Sequence, residues 1–361
     1  MDVNVKKIAV LCNYELLPER VGGMDYFFWS FDQKCKENNF QIDWFFPNKS
    51  THGDYSKLTI IDTNYLNTEI FFVQYCQTNV QNYTYIFTHF VELCTSTFKK
   101  INATSNAKII VVDHNPRPLN GYSSKKKIVK RIKGILYSKY IDTFIAVSNV
   151  SLNQLIMEFG NQIKVKSLII SNGLEVSKLQ KRKDSGFKSR FIVASHLRKD
   201  KGIQDLIHAV KEVSNETSLQ FAIDIYGTGY YEDFLKNLCK LHKVNSYFNF
   251  MGSVSNLNEL YQNYDYLIHP SHGETFCFSV VEALFCRLPV ITTKNQGNVL
   301  GLVKENINGF LFDEGNSNQL KQIVIKVVSS QYQIDNSIHY NNKIDELTLE
   351  RMVANYYNLL Q

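Results

Sequence analysis

The stretch Asp265-Tyr-Leu-Ile-His-Pro-Ser-His-Gly-Glu-Thr-Phe-Cys-Phe-Ser-Val-Val-Glu-Ala-Leu-Phe-Cys-Arg-Leu-Pro-Val-Ile291 sets the fold class. A short apolar strand ends at Pro270, a turn of small residues follows, and a helix is expected to begin near Ser279. Glu274 then lies in the loop above the strand, and Glu282 about one turn into the helix. The carboxyl ends of parallel strands are where open α/β sheets bind ligands. A helix amino end at that edge offers unpaired N–H groups and partial positive charge, both suited to a phosphate. Both glutamates are expected to be anionic there and to accept hydrogen bonds from hydroxyl groups, such as those of a sugar and a ribose. Two carboxylates beside a phosphate cradle point to a nucleotide sugar. Two other readings use the same residues. Ser279-Val-Val-Glu282 matches an S-x-x-E capping box, in which Glu282 would serve only the helix backbone. Alternatively, Glu274 and Glu282 would be the acid and nucleophile of a glycosidase, an arrangement that needs carboxyls facing one another across a cleft.

Working outward, short apolar runs alternate with longer helical patterns. The runs are Ile8 to Cys12, Tyr85 to Thr88, Ile109 to Val112 and Thr143 to Val147, then Phe191 to Ala194, Phe221 to Tyr226, Tyr266 to His269 and Val290 to Thr292. Such runs, rich in Val, Ile and Phe, are how strands buried on both faces of a parallel sheet look. At about 150 residues per domain, 361 residues predict two domains. Val176 to Ser189 is polar and basic, so the junction is placed there. The predicted organisation is residues 1–178, residues 189–342 and a closing helical segment, 343–361. In that segment Leu347, Met352, Tyr356, Leu359 and Leu360 fall at roughly helical spacing.

Composition excludes several classes. With 44% hydrophobic and 20% charged residues the chain can bury a sizeable core, which rules out disorder and small disulfide scaffolds. Forty Lys and Arg against 34 Asp and Glu leave +6, too mild a surplus to imply nucleic acid. Seven cysteines form no CxxC pair, which predicts a reducing, cytoplasmic setting, and no cluster of Asp and His has metal-site spacing. Lys6-Lys7 with Ile8 to Cys12 reads as a first strand rather than a signal peptide, and no apolar stretch approaches bilayer length.

Other segments carry weaker signals. Gly22-Gly23 after the first strand is compatible with close backbone approach to an anion or with a tight turn. Gly227-Thr-Gly229 reads as a strand-end turn that flanks a nucleotide base. Ser195-His-Leu-Arg-Lys-Asp-Lys-Gly202 follows a strand, and its cations would stabilise negative charge growing on a departing diphosphate. The bland alternative is a solvated basic loop. His114 ends a strand at the ligand edge, as does His89, and each is either a site residue or a satisfied packing histidine. Between Lys125 and Leu136, Ile128, Ile132, Ile135 and Leu136 mark one helical face, with six Lys and Arg largely elsewhere. That helix over 124–136 either lies on an anionic membrane surface or packs its stripe into the core.

Pro270-Ser271, Glu274, Phe276, Glu282-Ala283 and Leu288-Pro289-Val290-Ile291 resemble, in order and spacing, the E-x7-E signature of retaining family 4 glycosyltransferases of the GT-B fold. Pro18 to Met24, Ala146-Val147-Ser148, Ile170 to Glu175, Ile225 to Gly229, Phe250 to Val254 and Glu305 to Leu311 resemble further landmarks of that family. The resemblance spans nearly the whole chain and is weakest between residues 40 and 105. It implies two Rossmann-like domains facing a central cleft, with the last helix returning to the first domain. It also implies transfer from a UDP- or GDP-linked sugar to a glycan or polyprenyl-diphosphate-linked acceptor, with retention of configuration and without a metal or other cofactor. In this comparison Glu282 holds the ribose, Glu274 the sugar hydroxyls, and the amides of Thr275, Phe276, Cys277 and Phe278 the diphosphate, together with Lys201 and Arg198. Gly22, Gly23, His196 and Gly227 complete the donor surroundings, and His114 lies near the transferred sugar. The chain departs from the family at His196, where Arg is usual. A bacterial cell-surface polysaccharide pathway, on the inner face of the cytoplasmic membrane, is the setting this resemblance implies. A nucleotide-sugar epimerase of the same fold and a catalytically silent binding protein remain as alternatives.

Overall fold

The computed structural model describes residues 6–79, 82–182, 186–254, 256–332, 334 and 342–361. The described residues up to Gly173, together with Leu349–Gln361, form one compact unit, and Leu174–Thr348 form the other. In chain order the first contains β1 (Lys7–Cys12), α1 (Gly23–Glu37), β2 (Gln41–Phe46), β3 (Thr59–Asp62), α2 (Thr68–Thr78), β4 (Tyr83–His89), α3 (Ser96–Thr104), β5 (Lys108–Asp113), α4 (Ser124–Tyr137), β6 (Thr143–Ala146), α5 (Asn149–Phe159) and β7 (Ser167–Ile169). The second contains β8 (Arg190–Ala194), α6 (Ile203–Glu216), β9 (Ala222–Tyr226), α7 (Glu232–His242), β10 (Phe248–Gly252), α8 (Leu257–Leu260), β11 (Tyr266–His269), α9 (Phe278–Phe285), β12 (Val290–Thr293), β13 (Gly309–Phe312), α10 (Ser317–Ser329) and α11 (Asn342–Asp345). The final helix, α12 (Leu349–Asn358), belongs to the first unit.

The first sheet runs β3-β2-β1-β4-β5-β6-β7 and the second β10-β9-β8-β11-β12-β13, with every pairing parallel. The chain is therefore α/β, built of two Rossmann-like parallel-sheet domains. Residues 8–11 of β1 and 191–193 of β8 are buried on both faces, as their near-continuous apolar runs require. In each sheet the strand order reverses once, at β1/β4 and at β8/β11. At such switch points the flanking connections leave on opposite faces and open a crevice above the strand ends. Around β8 and β9, α6 buries Ile203, Leu206, Ile207, Val210 and Val213, a helical stripe joined by Leu320, Val324 and Val327 of α10.

Two expectations change, and one of the two readings of α4 falls away. The unit boundary falls at Gly173/Leu174, not within 176–189. Leu174 N–H donates to Leu347 O at 2.9 Å, so residues after 173 already belong to the second unit. Arg182 then fastens the connection: its guanidinium lies 3.2 Å from fully buried Asp265, which also accepts from Lys188 and Arg190 N–H. A polar, basic stretch reads as a loose linker until the buried carboxylate that receives it is known; residues 183–185 lie outside the described residues. The closing helix starts at Leu349 rather than near 347, and Leu347 stays with the second unit. Its Tyr356 ring packs on Phe27 of α1 with centroids 4.7 Å apart, while Tyr85 Oη donates to Leu360 O at 3.0 Å. Finally, α4 does not bury its aliphatic stripe. It approaches α5 through Gly134, where a Cβ would lie 2.0 Å from Phe159 O, and this contact turns Ile128, Ile132, Ile135 and Leu136 outward.

Asp265 is the partner on which the connection depends. Asp265→Ala should lower the unfolding free energy by about 3 kcal/mol, because it leaves a buried guanidinium and two N–H groups without their acceptor. A urea midpoint unchanged from the native chain would show that this anchor does not stabilise the fold.

Candidate active site

At the β8/β11 switch point two loops leave side by side, 195–202 after β8 and 270–277 after β11. His272 N–H donates to Asp200 O at 2.8 Å. Gly202 has φ +68°, and a Cβ there would stand 2.0 Å from Pro270 O, so only glycine permits both the turn and the approach. Gly227, at φ +126°, lies as closely under Ser195 O, and a side chain would push the first loop away from β9. Thr292 Oγ1 donates to His269 O at 2.8 Å and Thr293 Oγ1 to Ser271 O at 2.7 Å, which pins the second loop to β12. The His272 imidazole pairs with Asp205, and this hydrogen bond raises its pKa against the opposing effect of burial.

The two loops bring Lys201 and Glu274 together. Lys201 Nζ lies 2.5 Å from Glu274 Oε1, and the side chains are only 9% and 14% exposed. Burial alone would raise the Glu274 pKa, but the Lys201 ammonium and the nearby His269 ring overcome it and hold the carboxyl at about 2. His269 Nε2 comes within 3.1 Å of the same oxygen, although the two are not aligned as a hydrogen bond. The buried Lys201 is therefore not one more cation of a solvated loop. Arg198 is more open: it pairs with Asp200 at 2.9 Å, and its buried Nε has no hydrogen-bond partner among the described residues. His196 is exposed.

Glu282 sits one turn into α9, but not in a capping box. The helix begins at Phe278 with Cys277 as its N-cap, one residue earlier than the sequence implies, so Ser279 is already inside the first turn. Ser279 Oγ instead lies 3.4 Å from His269 Nδ1, and Glu282 Oε2 accepts from Tyr261 Oη at 2.8 Å. Burial raises the Glu282 pKa, partly offset by the tyrosine. The two glutamates thus differ, one held ionised by cations and the other in a site that disfavours charge, where sequence reasoning treats them alike. Tyr261 is 21 positions from Glu282, and no local pattern announces the contact.

Cys277 adopts φ +67° and no side chain caps α9 among the described residues. By helix geometry the first-turn amides lack intrahelical acceptors, leaving the amino end of α9 suited to an anion. The side chains of Phe276 and Cys277 are buried, so any part these residues play in holding a ligand falls to their backbone. His269, Glu274 and Cys277 place ligand atoms within 4.8 Å of one another, a grouping that sequence spacing does not reveal. It suits a metal poorly. Lys201 already supplies positive charge at the shared carboxylate, and burial raises the Cys277 pKa, favouring the thiol over the thiolate a metal needs.

In the first unit, the Gly22 amide is engaged within the chain. Its N–H donates to Asp25 Oδ2 at 2.8 Å, and Asp25 also accepts from Tyr14 and Tyr55, so a carboxylate of the chain occupies the amino end of α1. Gly23 is the first residue of that helix. At the ends of β4 and β5, His89 Nδ1 and His114 Nε2 are 2.9 Å apart, both rings buried. Burial lowers both pKa values, that of His114 to about 3, and the His114 ring further disfavours protonation of His89. The unfolded chain then takes up protons below about pH 6.5 that the folded chain refuses, so stability falls with acidification. For His114 the loss reaches roughly 2 kcal/mol by about pH 5. The drop in Tm between about pH 7 and about pH 5 should shrink in the double variant His89→Gln, His114→Gln; an equal drop would contradict the neutral pair.

The chain is similar to several known proteins. Residues 177–345 match the family described as Glycosyl transferases group 1. A stretch of 185 residues is 28% identical to the UDP-N-acetylglucosamine–peptide N-acetylglucosaminyltransferase GtfA subunit of Streptococcus agalactiae, covering 51% of this chain and 36% of that protein. Two solved structures share the fold. HepE of Anabaena in complex with UDP and glucose has a TM-score of 0.75 at 16% identity, covering 98% of this chain and 99% of that one. The apo lipopolysaccharide outer core galactosyltransferase WaaB has a TM-score of 0.71 at 15% identity, with the same coverage. The family match spans less than half of the chain, and the two structures show a shared fold.

Proposed function

We propose that the chain is a retaining, metal-independent glycosyltransferase that moves a sugar from a nucleoside-diphosphate sugar to a glycan or polyprenyl-diphosphate-linked acceptor. The observation that carries this reading is the Lys201–Glu274 pair beside the uncapped amino end of α9. Glu274, ionised throughout the physiological range, accepts from hydroxyls of the donor sugar. Glu282, presented beside Tyr261, accepts from the ribose. Lys201, Arg198 and the first amides of α9 face the diphosphate. The neighbour that binds UDP and glucose supports a nucleotide-sugar donor, with UDP as the first nucleotide to try.

As the C1–O bond to the diphosphate breaks, negative charge gathers on the leaving oxygen, and fixed cations and amides stabilise that charge more than they stabilise the ground state. The acceptor oxygen attacks C1 from the same face, and its proton passes to the departing phosphate. Configuration is thereby retained and no protein nucleophile is needed. Lys201, Arg198 and the helix terminus supply the positive charge that a divalent cation provides in other transferases. Within the first unit, the buried His89 holds the His114 ring in place. The fold shared with a lipopolysaccharide outer core galactosyltransferase supports a bacterial cell-surface pathway. Seven unpaired cysteines are consistent with a reducing, cytoplasmic setting.

Lys201→Ala should lower kcat for UDP-glucose turnover by about 10²- to 10³-fold, the range seen when one donor to a developing charge is removed. Glu274→Gln should lose turnover with the fold intact, whereas Glu282→Gln should mainly weaken nucleotide binding. A thermal-shift screen of UDP- and GDP-sugars identifies the donor, since ligand at 100 times its Kd adds about 2.7 kcal/mol. Full activity in Lys201→Ala would overturn the assignment. Turnover should also persist in EDTA; its abolition, with rescue by manganese, would contradict the metal-independent mechanism.

A further inference from the structure

We infer that α4 is a docking surface for an anionic lipid bilayer, on which it lies in the plane of the headgroups. This reading rests on α4 and stands apart from the donor assignment. Ile128, Val129, Ile132, Ile135 and Leu136 are 42–63% exposed, five aliphatic side chains on one 14-residue helix. At about 100° per residue they fill an arc roughly 120° wide. Gly134, the one buried residue of α4, points to the opposite side, towards Phe159. On the same wheel Lys127 and Arg131 border one edge of the aliphatic arc, and Lys126 and Lys133 the other.

The helix carries six Lys and Arg and no acid. Among the described residues, acids from neighbouring elements meet only two of them: Glu158 pairs with Lys130 and Glu92 with Lys133, each at 2.8 Å. Tyr122 lies under the Lys126 and Lys130 ammonium groups, 4.8 and 4.4 Å from its centroid. Positive charge therefore remains along both borders of the apolar arc. A basic helix with an exposed apolar face is the form that sinks into the headgroup–acyl boundary, each cation near an anionic leaflet adding to binding. Charge also argues against the other occupants. Lysine is depleted from protein–protein interface cores, and an isologous contact with a second copy would set six cations against six.

The test is sedimentation of the full chain with phosphatidylcholine vesicles, with and without phosphatidylglycerol, at low and high salt. Binding is expected only to the anionic vesicles, and it should weaken as salt rises. The double variant Ile132→Ser, Ile135→Ser should lose binding. Lys126→Ser, Lys127→Ser should lose roughly fivefold in affinity for each cation removed. All four residues are exposed, so melting curves and nucleotide-sugar thermal shifts should match the native chain. Failure to bind anionic vesicles at low salt, equal binding to neutral ones, or native binding by both variants would overturn the inference. So would a low-salt dimer that the isoleucine changes dissolve. Loss of donor binding in the native chain would instead strike the proposed function and leave this result untouched.

Discussion

A buried ammonium against a buried carboxylate is the contact around which the second unit's site is arranged. Neither Lys201 nor Glu274 is stable there alone, because removing one partner leaves the other's buried charge uncompensated. Together they keep an acceptor ionised and a cation fixed at the carboxyl edge of the sheet. The rest of the local architecture serves that placement. Gly202 and Gly227 let backbones touch where side chains would separate them, and two threonines of β12 tie down the loop bearing Glu274. The switch between β8 and β11 is what brings the two loops side by side.

The two glutamates show why spacing alone underdetermines chemistry. They stand eight positions apart, yet one faces cations and the other a tyrosine hydroxyl, and their acidities move in opposite directions. Glu274 is suited to remain an acceptor at any physiological pH. Burial makes Glu282 the more easily neutralised of the two. Ser279 lies inside the helix rather than at its cap, so Glu282 does not serve a capping box.

Much of this was legible in the sequence. The apolar runs located the inner strands because strands buried on both faces have no polar alternation to obscure them. The loop carrying Glu274 and the helix carrying Glu282 were placed by the break after Pro270 and the run that follows. What stayed hidden depends on distant partners. Tyr261 and His269 reach the glutamates only through the fold, and Asp25 takes the Gly22 amide by curling back at the start of α1. The junction was misplaced because the acceptor for the linker, Asp265, lies 77 positions from Lys188. For α4 the pattern gave an apolar face but not its direction; one glycine packed on α5 decides that it points outward.

The most direct measurement is a crystal structure of the chain with UDP-glucose or its non-hydrolysable analogue. The account predicts the diphosphate at the amino end of α9 within hydrogen-bonding reach of Lys201, a sugar hydroxyl donating to Glu274, and the ribose on Glu282. A donor bound elsewhere, or one at this edge with both glutamates turned away from it, would contradict the account.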